Sequence, residues 1–193
     1  MDPTTQNTKG EITVEGLSGF IKKLVTAFNK AGLDYAFTGA LAASYYGVPR
    51  TTADIDILVA VPDEDAKTRL AQALRQTGLE VEEKTIDDAM TSGYKIATFK
   101  SKNTPYKIDI ILSEQIRRRD GNIAEVDTFL QAPENLILAK LRMIKVTIDT
   151  ERVAKDVEDV RSILRFTKVD VDVVRKQAAK DKTLDVWRTF TKS

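Results

Sequence analysis

The stretch Thr51–Val59, TTADIDILV, places two aspartates inside an otherwise apolar run. Aliphatic residues in alternation predict a β-strand, and a strand puts Asp54 and Asp56 on one face with the intervening isoleucines on the other. Two carboxylates on one face repel each other, and burying them is costly unless a cation compensates. The stretch therefore predicts a strand with one buried face and one charged face, and a divalent metal is the natural compensation.

The composition narrows the chemistry that these carboxylates can support. The chain has 193 residues, of which 42 % are hydrophobic and 31 % are charged, and its net charge is +1. These values are ordinary for a soluble globular protein and give no global basic field. The chain contains no cysteine and no histidine, which excludes thiolate metal sites, cysteine nucleophiles and imidazole bases. Oxygen ligands remain, and they favour Mg²⁺ or Mn²⁺.

The pattern along the chain predicts its organisation. Residues 1–10 are polar and lack the apolar region of a signal peptide, so we expect a disordered lead-in to a cytoplasmic protein. No apolar stretch approaches the roughly 20 residues needed to span a bilayer, and we expect no membrane contact. Residues 11–130 alternate between helical and strand patterns, whereas residues 131–193 are helical. We expect an α/β core with a C-terminal helical region packed on it.

Apolar periodicity and turn signals predict the individual elements. Helices are expected at 17–31, 39–46, 62–77, 133–144, 153–164, 169–179 and 184–190. Strands are expected at 34–38, 54–61, 94–100, 106–112 and 123–126. The strands at 94–100 and 106–112 flank a short polar segment and predict a hairpin. Arg117, Arg118 and Arg119 could bind RNA phosphates, but their position before Asp120-Gly121 favours an exposed surface turn.

A third aspartate stands alone in the apolar run 107–112, KIDIIL. Charged residues are rare in central strands unless they are paired, so we predict that Asp109 lies beside Asp54 and Asp56 on a neighbouring strand. Three carboxylates would form an oxygen-rich site for one or two Mg²⁺ (or Mn²⁺) ions, with waters and substrate phosphates as further ligands. Such a site suits phosphoryl transfer, in which the protein mainly positions groups and neutralises charge.

These residues, taken in order, resemble a known signature. Phe37-Thr38-Gly39-Ala40, followed by 13 residues and then Asp54-Ile55-Asp56, resembles the nucleotidyltransferase superfamily pattern of a hydrophobic residue, Gly, Gly or Ser, a spacer, and Asp-hydrophobic-Asp. Asp109 matches the third carboxylate of that superfamily. The AbiEii-type toxin branch is resembled more closely by the run 47–56, GVPRTTADID, and by Pro133-Glu134-Asn135-Leu136 with Lys140, Arg152, Lys155, Asp156 and Asp159. The resemblance covers roughly residues 34–164.

The resemblance implies a fold and a set of roles. The fold would be DNA polymerase β-like, a mixed sheet flanked by helices. Asp54, Asp56 and Asp109 would be the catalytic, metal-binding carboxylates, and Asp109 would also activate the acceptor hydroxyl. Gly39 and Ala40 would hold the triphosphate through backbone amides, although the family usually has Gly or Ser at the second position. The remaining candidate nucleotide-binding residues are Arg50, Thr51, Lys140, Lys155 and Asp156.

The implied activity is Mg²⁺-dependent transfer of a nucleoside monophosphate from an NTP to a hydroxyl, with release of pyrophosphate. By resemblance to the AbiEii branch, the acceptor would be a tRNA end, and the chain would be the toxin of a toxin–antitoxin pair with a cognate antitoxin. Two alternatives stay open: transfer to a protein or small-molecule hydroxyl, and a non-catalytic nucleotide-binding regulatory module, which Ala40 favours. The small antitoxin branch fits less well, since it typically carries Gly-Ser where this chain has Gly39-Ala40.

Structural roles compete with the functional ones outside the three aspartates. Lys140 lies among leucines and isoleucines on its predicted helix, where a lysine at the edge of a core extends its ammonium toward water. Lys155, Asp156 and Asp159 also fit a solvated helix face with local ion pairs.

Overall fold

The structure is a computed structural model that describes residues 16–100 and 105–191. The lead-in predicted at 1–10 and most of the predicted hairpin turn lie outside the described residues. The helices are α1 (Leu17–Lys30), α2 (Gly39–Tyr46), α3 (Glu64–Gln76), α4 (Glu83–Thr91), α5 (Pro133–Val146), α6 (Thr150–Phe166), α7 (Val171–Lys180) and α8 (Leu184–Thr191). The strands are β1 (Tyr35–Phe37), β2 (Asp54–Ala60), β3 (Ile96–Lys100), β4 (Lys107–Ser113), β5 (Arg118–Ile123) and β6 (Val126–Gln131).

The strands form one 6-stranded mixed sheet in the order β3-β4-β2-β1-β6-β5. β2 pairs antiparallel with β1 and parallel with β4. A parallel pair needs a long crossover, which α3, α4 and β3 supply between β2 and β4. β3 and β4 pair antiparallel as the predicted hairpin. The expected fold class, a mixed sheet flanked by helices with a helical C-terminal part, is confirmed.

Alternation along β2 and β4 gives the sheet two unlike faces. Ile55, Ile57 and Val59 are fully buried on one face of β2, and Ile108 and Ile110 of β4 continue that face. Apolar residues of α1 and α3 belong to the same core. Each fully buried aliphatic side chain contributes about 1.5–3 kcal/mol, so register is strongly fixed here. The other face carries the charged residues at the start of β2 and β4, followed by the half-buried pair Leu58 and Ile111.

The C-terminal helices α5 and α6 pack on α2, which itself contacts β2. α5 begins at Pro133, where proline's missing N–H would have had no partner in any case. α6 packs against α2 and α5. The backbone N–H of Val48 donates to Ser162 Oγ at 2.7 Å, and a Cβ on Gly47 would lie 2.4 Å from the same oxygen. The loop that leads into β2 is therefore pressed directly onto α6.

The strand predicted at 123–126 is wrong. These residues form the turn between the antiparallel strands β5 and β6, and Ile123 and Val126 are its flanking pair. The two central residues, Ala124 and Glu125, have φ of 50° and 67°, as a tight hairpin turn requires at both positions. Neither residue is the glycine or asparagine that signals such a turn, which is why the sequence concealed it.

The surface turn predicted at the three arginines is also wrong, because Arg118 and Arg119 lie in β5. Arg118 pairs with Asp34 at 2.8 Å and stacks over the Phe129 ring at 3.8 Å. Arg119 pairs with the buried carboxylate of Glu134 at 3.2 Å. These arginines thus attach an edge strand to the rest of the sheet and to α5. Among the described helices, none combines the length and apolar character needed to cross a membrane.

Tyr46, at the end of α2, provides a test of the packing. Its hydroxyl is buried without a hydrogen-bond partner in the described part of the chain, and burial raises its pKa to about 12. A buried, unsatisfied hydroxyl destabilises the folded state, so we expect Tyr46→Phe to raise the free energy of unfolding by up to about 1 kcal/mol. Urea denaturation followed by circular dichroism measures the change.

Tyr35→Phe is the matched control. The Tyr35 hydroxyl is also buried, but it contacts Asn29 Oδ1 at 3.0 Å and Thr128 Oγ1 at 3.3 Å. Its removal should lower the free energy of unfolding by about 1 kcal/mol. Equal losses for the two variants would contradict the assignment of Tyr46 as unsatisfied.

Candidate active site

A row of polar side chains crosses the open face of the sheet. Asp56 on β2 lies directly opposite Asp109 on the parallel strand β4, and Asp109 lies opposite Thr98 on β3. Thr98 Oγ1 donates to Asp109 Oδ1 at 2.6 Å. The side chain of Asp54, two residues before Asp56, lies on the same face of the sheet and is 57 % exposed. The structure therefore brings all three predicted carboxylates to one face, with Asp56 and Asp109 as neighbours.

A lysine that the sequence prediction passed over lies between these carboxylates. Lys107 Nζ is 3.0 Å from Asp109 Oδ2 and 3.7 Å from Asp54 Oδ1. The hydrogen bond to Asp109 is the main cause of a raised pKa for Lys107, so the ammonium stays charged. Lys107 neutralises part of the negative charge that three aspartates place on this face.

Asp56 is the carboxylate under most electrostatic strain. Burial raises its pKa above the ordinary value, and the neighbouring charges of Asp109 and Asp54 raise it further. The cations Lys107 and Lys140 oppose the shift without cancelling it. A carboxylate that is desolvated and surrounded by like charge attracts a cation, and such perturbed groups cluster at functional sites.

The N-terminus of α2 lies against Asp56. The N–H of Thr38 donates to the carbonyl oxygen of Asp56 at 2.9 Å, which ties the start of the helix to β2. Gly39 has φ +59°, and a Cβ there would lie 2.0 Å from Asp56 Oδ2. Only glycine permits this approach. The glycine of the signature thus has a local cause in the packing of α2 on the carboxylate strand.

No side chain caps this helix end in the described part of the chain, because Thr38 Oγ1 donates instead to Gln131 Oε1 at 2.5 Å. The first amides of an α-helix lack intrahelical partners and carry a partial positive charge. Ala40 lies in this first turn with its methyl group buried, so its side chain offers nothing to a ligand while its backbone can. An anion placed beside Asp56 would meet Gly39 and Ala40 through backbone groups.

A second cluster of charges lies between α5, α6 and the loop before β2. Lys140 of α5 is only 8 % exposed and binds Asp156 at 2.8 Å and Asp159 at 2.7 Å, both on α6. Asp159 also receives two hydrogen bonds from Arg50, at 3.2 Å and 3.1 Å. Two cations and two anions make this cluster neutral. The structure thus brings together Arg50, Lys140 and Asp156 of the predicted set, and adds Asp159.

Two predicted nucleotide-binding residues stay outside both clusters. Lys155 pairs with Glu151 at 2.7 Å on a face of α6 where its side chain is 58 % exposed. Thr51 is exposed in the loop before β2. Lys155 thus makes the local ion pair that is expected on a solvated helix face. Its neighbour Asp156 instead points inward and contacts Lys140.

The donor set fits a hard divalent cation, but it is not assembled as a cage. All the candidate donor atoms are carboxylate oxygens, and Asp56 lies beside two other carboxylates whose effect Lys107 and Lys140 offset only in part. Within residues 16–100 and 105–191, no three acidic side chains are arranged around one point as metal ligands. Lys107 and Thr98 instead engage both oxygens of Asp109. The assignment of Asp54, Asp56 and Asp109 to a metal remains a prediction.

The residues missed by the sequence prediction differ in whether the sequence carries a signal for them. Lys107 precedes Asp109 by two positions, and the period-two alternation that placed the aspartates on one face places Lys107 there as well. Thr98 required the register of the β3–β4 hairpin, which no sequence signal gave. Asp159 belongs to the resembled pattern and fits a solvated helix face, but its partners Arg50 and Lys140 come from two other elements, which local patterns do not predict.

Gly39→Ala tests the close approach at the helix start. Gly78 is the matched control, since it has φ +83° but open space around its Cα. Gly78→Ala should cost about 1 kcal/mol from backbone strain alone. Gly39→Ala should cost about 2 kcal/mol more, because the new methyl group must displace Asp56. Urea denaturation measures both losses, and equal losses would show that the contact is not tight.

Asp56→Asn tests the electrostatic strain through pH. The folded-state pKa of Asp56 lies above 3.8, so folding stability is lost as pH rises from the unfolded pKa through the folded pKa. The substitution removes that loss. We expect the variant to have the higher melting temperature at pH 7.5, with the difference shrinking toward pH 4. Thermal melting of both proteins from pH 4 to pH 7.5 measures this difference. A difference in melting temperature that grows on acidification would contradict the raised pKa of Asp56.

Comparison with known structures places the fold. The antibiotic-resistance factor ANT(2'')-Ia in solution superimposes with a TM-score of 0.59 at 15 % identity, over 89 % of this chain and 91 % of the other. Its crystal structure with adenylyl-2''-tobramycin gives 0.58 at 15 % identity, over 90 % and 96 %. An antigenic nucleotidyltransferase-like protein from Paracoccidioides brasiliensis gives 0.51 at 15 % identity, over 86 % and 91 %. At this identity the likeness concerns the fold.

Comparison with protein families is more specific. No curated protein matches the chain. The family described as nucleotidyl transferase AbiEii toxin, of type IV toxin–antitoxin systems, matches residues 23–187. The match includes the carboxylate row, the start of α2 and the charge cluster between α5 and α6. The chain therefore belongs to the AbiEii family of nucleotidyltransferase toxins.

Proposed function

We propose that this nucleotidyltransferase moves a nucleoside monophosphate from an NTP to the hydroxyl of a tRNA end, with Mg²⁺ held by Asp54, Asp56 and Asp109. The observation that carries the proposal is the contact between the uncapped N-terminus of α2 and the carboxylate row. Amides that favour phosphate lie directly beside carboxylates that favour a cation. A metal-bound triphosphate needs both, side by side.

The roles of the residues follow from their positions. The first amides of α2, at Gly39 and Ala40, would hold the triphosphate. A bound Mg²⁺ would neutralise phosphate charge and align the reacting oxygens. Asp109 would accept the proton of the acceptor hydroxyl, whose oxygen then bonds to the α-phosphorus as the bond to pyrophosphate breaks. Mn²⁺ is an alternative ion for the same oxygen ligands.

Lys140 and Arg50 would support the triphosphate from the side. The charge of Lys140 already acts on Asp56, so its ammonium is near enough to affect a phosphate held there. Asp156 and Asp159 fix its direction, and a charge held in place by its neighbours needs no reorganisation when substrate arrives. Lys155 and Thr51, which face solvent, would contribute only to the outer rim.

A nucleic-acid acceptor is favoured by the character of the open face. Beyond Asp109 the sheet continues to its edge strand β3, where Ile96 and Lys100 are exposed, and Tyr94 is exposed two residues before the strand begins. Exposed aromatic and basic side chains along one path suit a single-stranded nucleic-acid end. As the toxin of a toxin–antitoxin pair, the chain would act in the cytoplasm and be held in check by a cognate antitoxin.

The activity is tested by transfer of label. Purified protein with Mg²⁺ is incubated with each α-labelled NTP and either total tRNA or protein extract. We expect labelled tRNA, and we expect Asp56→Asn to lower the transfer rate by about 10²–10³-fold or more, as removal of a charge-stabilising group does. Asp88→Asn, an exposed aspartate on α4, is the control and should transfer at the rate of the wild type.

The outcomes separate the candidate acceptors. Label on protein or on a small molecule in place of tRNA would replace the tRNA acceptor with the alternative one. Absence of transfer with every NTP would favour a regulatory, non-catalytic protein. Transfer that persists in Asp56→Asn would refute the carboxylate mechanism, since the folded state of this variant should be the more stable one at neutral pH.

A further inference from the structure

The position of Lys107 within the carboxylate row leads beyond the proposed function. Its Nζ contacts Asp109 Oδ2 at 3.0 Å and Asp54 Oδ1 at 3.7 Å, and its charge also acts on Asp56. One ammonium therefore serves three carboxylates. Lys140 differs, because its two carboxylates lie on α6 and are not among the proposed metal ligands. Within the described residues, the ion pairs of Lys107 are made with proposed metal ligands.

Both oxygens of Asp109 are already engaged by donors. Thr98 donates to Oδ1 at 2.6 Å, and Lys107 holds Oδ2. Each of these oxygens keeps a second lone pair, but an Mg²⁺ ion at about 2.0–2.1 Å from Asp109 would lie close to the Lys107 ammonium. The two positive charges repel, so the ammonium has to move away when the ion binds. The hydroxyl of Thr98 is on a short, stiff side chain in β3. Lys107 has a long, flexible side chain that is 37 % exposed, and it can swing into solvent.

We propose that Lys107 is an internal counter-ion that a divalent metal must displace, and that it thereby sets the metal affinity of the carboxylate site. This inference rests on the proposed function, which assigns Asp54, Asp56 and Asp109 to the metal. Without the ion, the ammonium limits repulsion between the aspartates. With the ion bound, the ammonium lies on the open face, where a phosphate of the substrate can pair with it.

The Lys107 ammonium, which lies between Asp54 and Asp109, accounts for aspartates that share one face without being arranged around one point. Lys107 and Asp109 are two positions apart on β4, so the strand itself presents them side by side. A counter-ion on the same strand is always near the ligand, and only a cation of higher charge density competes with it. Metal binding then becomes an exchange of one cation for another, and its affinity depends on the cation that leaves.

The test measures binding of Mn²⁺ alone, followed by the electron paramagnetic resonance signal of the free ion. Lys107→Met should bind Mn²⁺ about tenfold more tightly than the wild type, a difference of about 1.4 kcal/mol, since the ion pair with Asp109 no longer has to be broken. Lys107→Arg keeps the charge and should stay close to the wild type. Lys107→Gln serves as a second uncharged variant if the methionine variant folds poorly.

Lys100→Met is the matched control for charge alone. Lys100 lies opposite Lys107 in the β3–β4 register and is exposed. Its removal changes the net charge of the region by the same amount without removing a contact to the carboxylates. At physiological salt the effect on Mn²⁺ affinity should be less than about twofold, because exposed charges are screened.

Thermal melting gives a second, independent readout. Without divalent metal, Lys107→Met should melt below the wild type, because the aspartates repel each other without their counter-ion. Saturating Mn²⁺ should raise its melting temperature by more than it raises that of the wild type. A lysine with a purely structural role would lower the melting temperature by the same amount in both conditions.

The outcomes distinguish the inference from the function on which it rests. If the wild type binds Mn²⁺ and Lys107→Met binds it no more tightly than Lys100→Met, the counter-ion role is overturned while the metal assignment stands. If Mn²⁺ binding by the wild type is absent or is unaffected by Asp56→Asn, the metal assignment fails and the counter-ion role fails with it. Tighter binding confined to the uncharged Lys107 variants supports both.

Discussion

The contact between Gly39 and the carboxylate of Asp56 is the constraint on which the site depends. It needs a residue without a Cβ, a left-handed backbone conformation, and a hydrogen bond from Thr38 to the carbonyl of Asp56. Together these place the start of a helix against the polar face of a strand. The amides proposed to bind phosphate and the carboxylates proposed to bind a cation then become neighbours through backbone packing, with no need for a long loop to fold over the site.

The electrostatics of the site follow from that packing. Asp56 is pressed between α2 and Asp109, so burial and like charge both disfavour its ionised form. Natural proteins retain such strain where function requires it, and they offset it elsewhere. Here the charge of Asp56 is offset by cations from different parts of the chain: Lys107 on the same sheet, and Lys140 on α5. The sheet and the C-terminal helices therefore each supply a cation that offsets the charge of Asp56.

Much of this arrangement could be predicted from the sequence, because β2 and β4 alternate cleanly and the spacing from Gly39 to Asp54 is characteristic. The β5–β6 hairpin could not be predicted: its turn uses Ala124 and Glu125 at positive φ, and β5 is a polar edge strand rich in arginine. α4 was missed because it contributes only Ile86 and Ala89 to the core, too few for a helical period. The Arg50–Asp159–Lys140 cluster joins three distant segments, and such contacts depend on tertiary packing that local patterns do not encode.

The openness of the carboxylate face has a further consequence for evolution within this fold. An enclosed pocket selects substrates by volume, so each new substrate requires a new cavity. An open face selects an acceptor only by the direction from which its hydroxyl approaches. The rest of the acceptor can extend past the edge strand β3, whatever its size. In the proposed reaction the chemistry would be fixed by residues on two central strands, while acceptor choice would vary with exposed residues at the border, such as Tyr94 and Ile96. A single scaffold of this kind can pass from small acceptors to macromolecules by changes at its border alone.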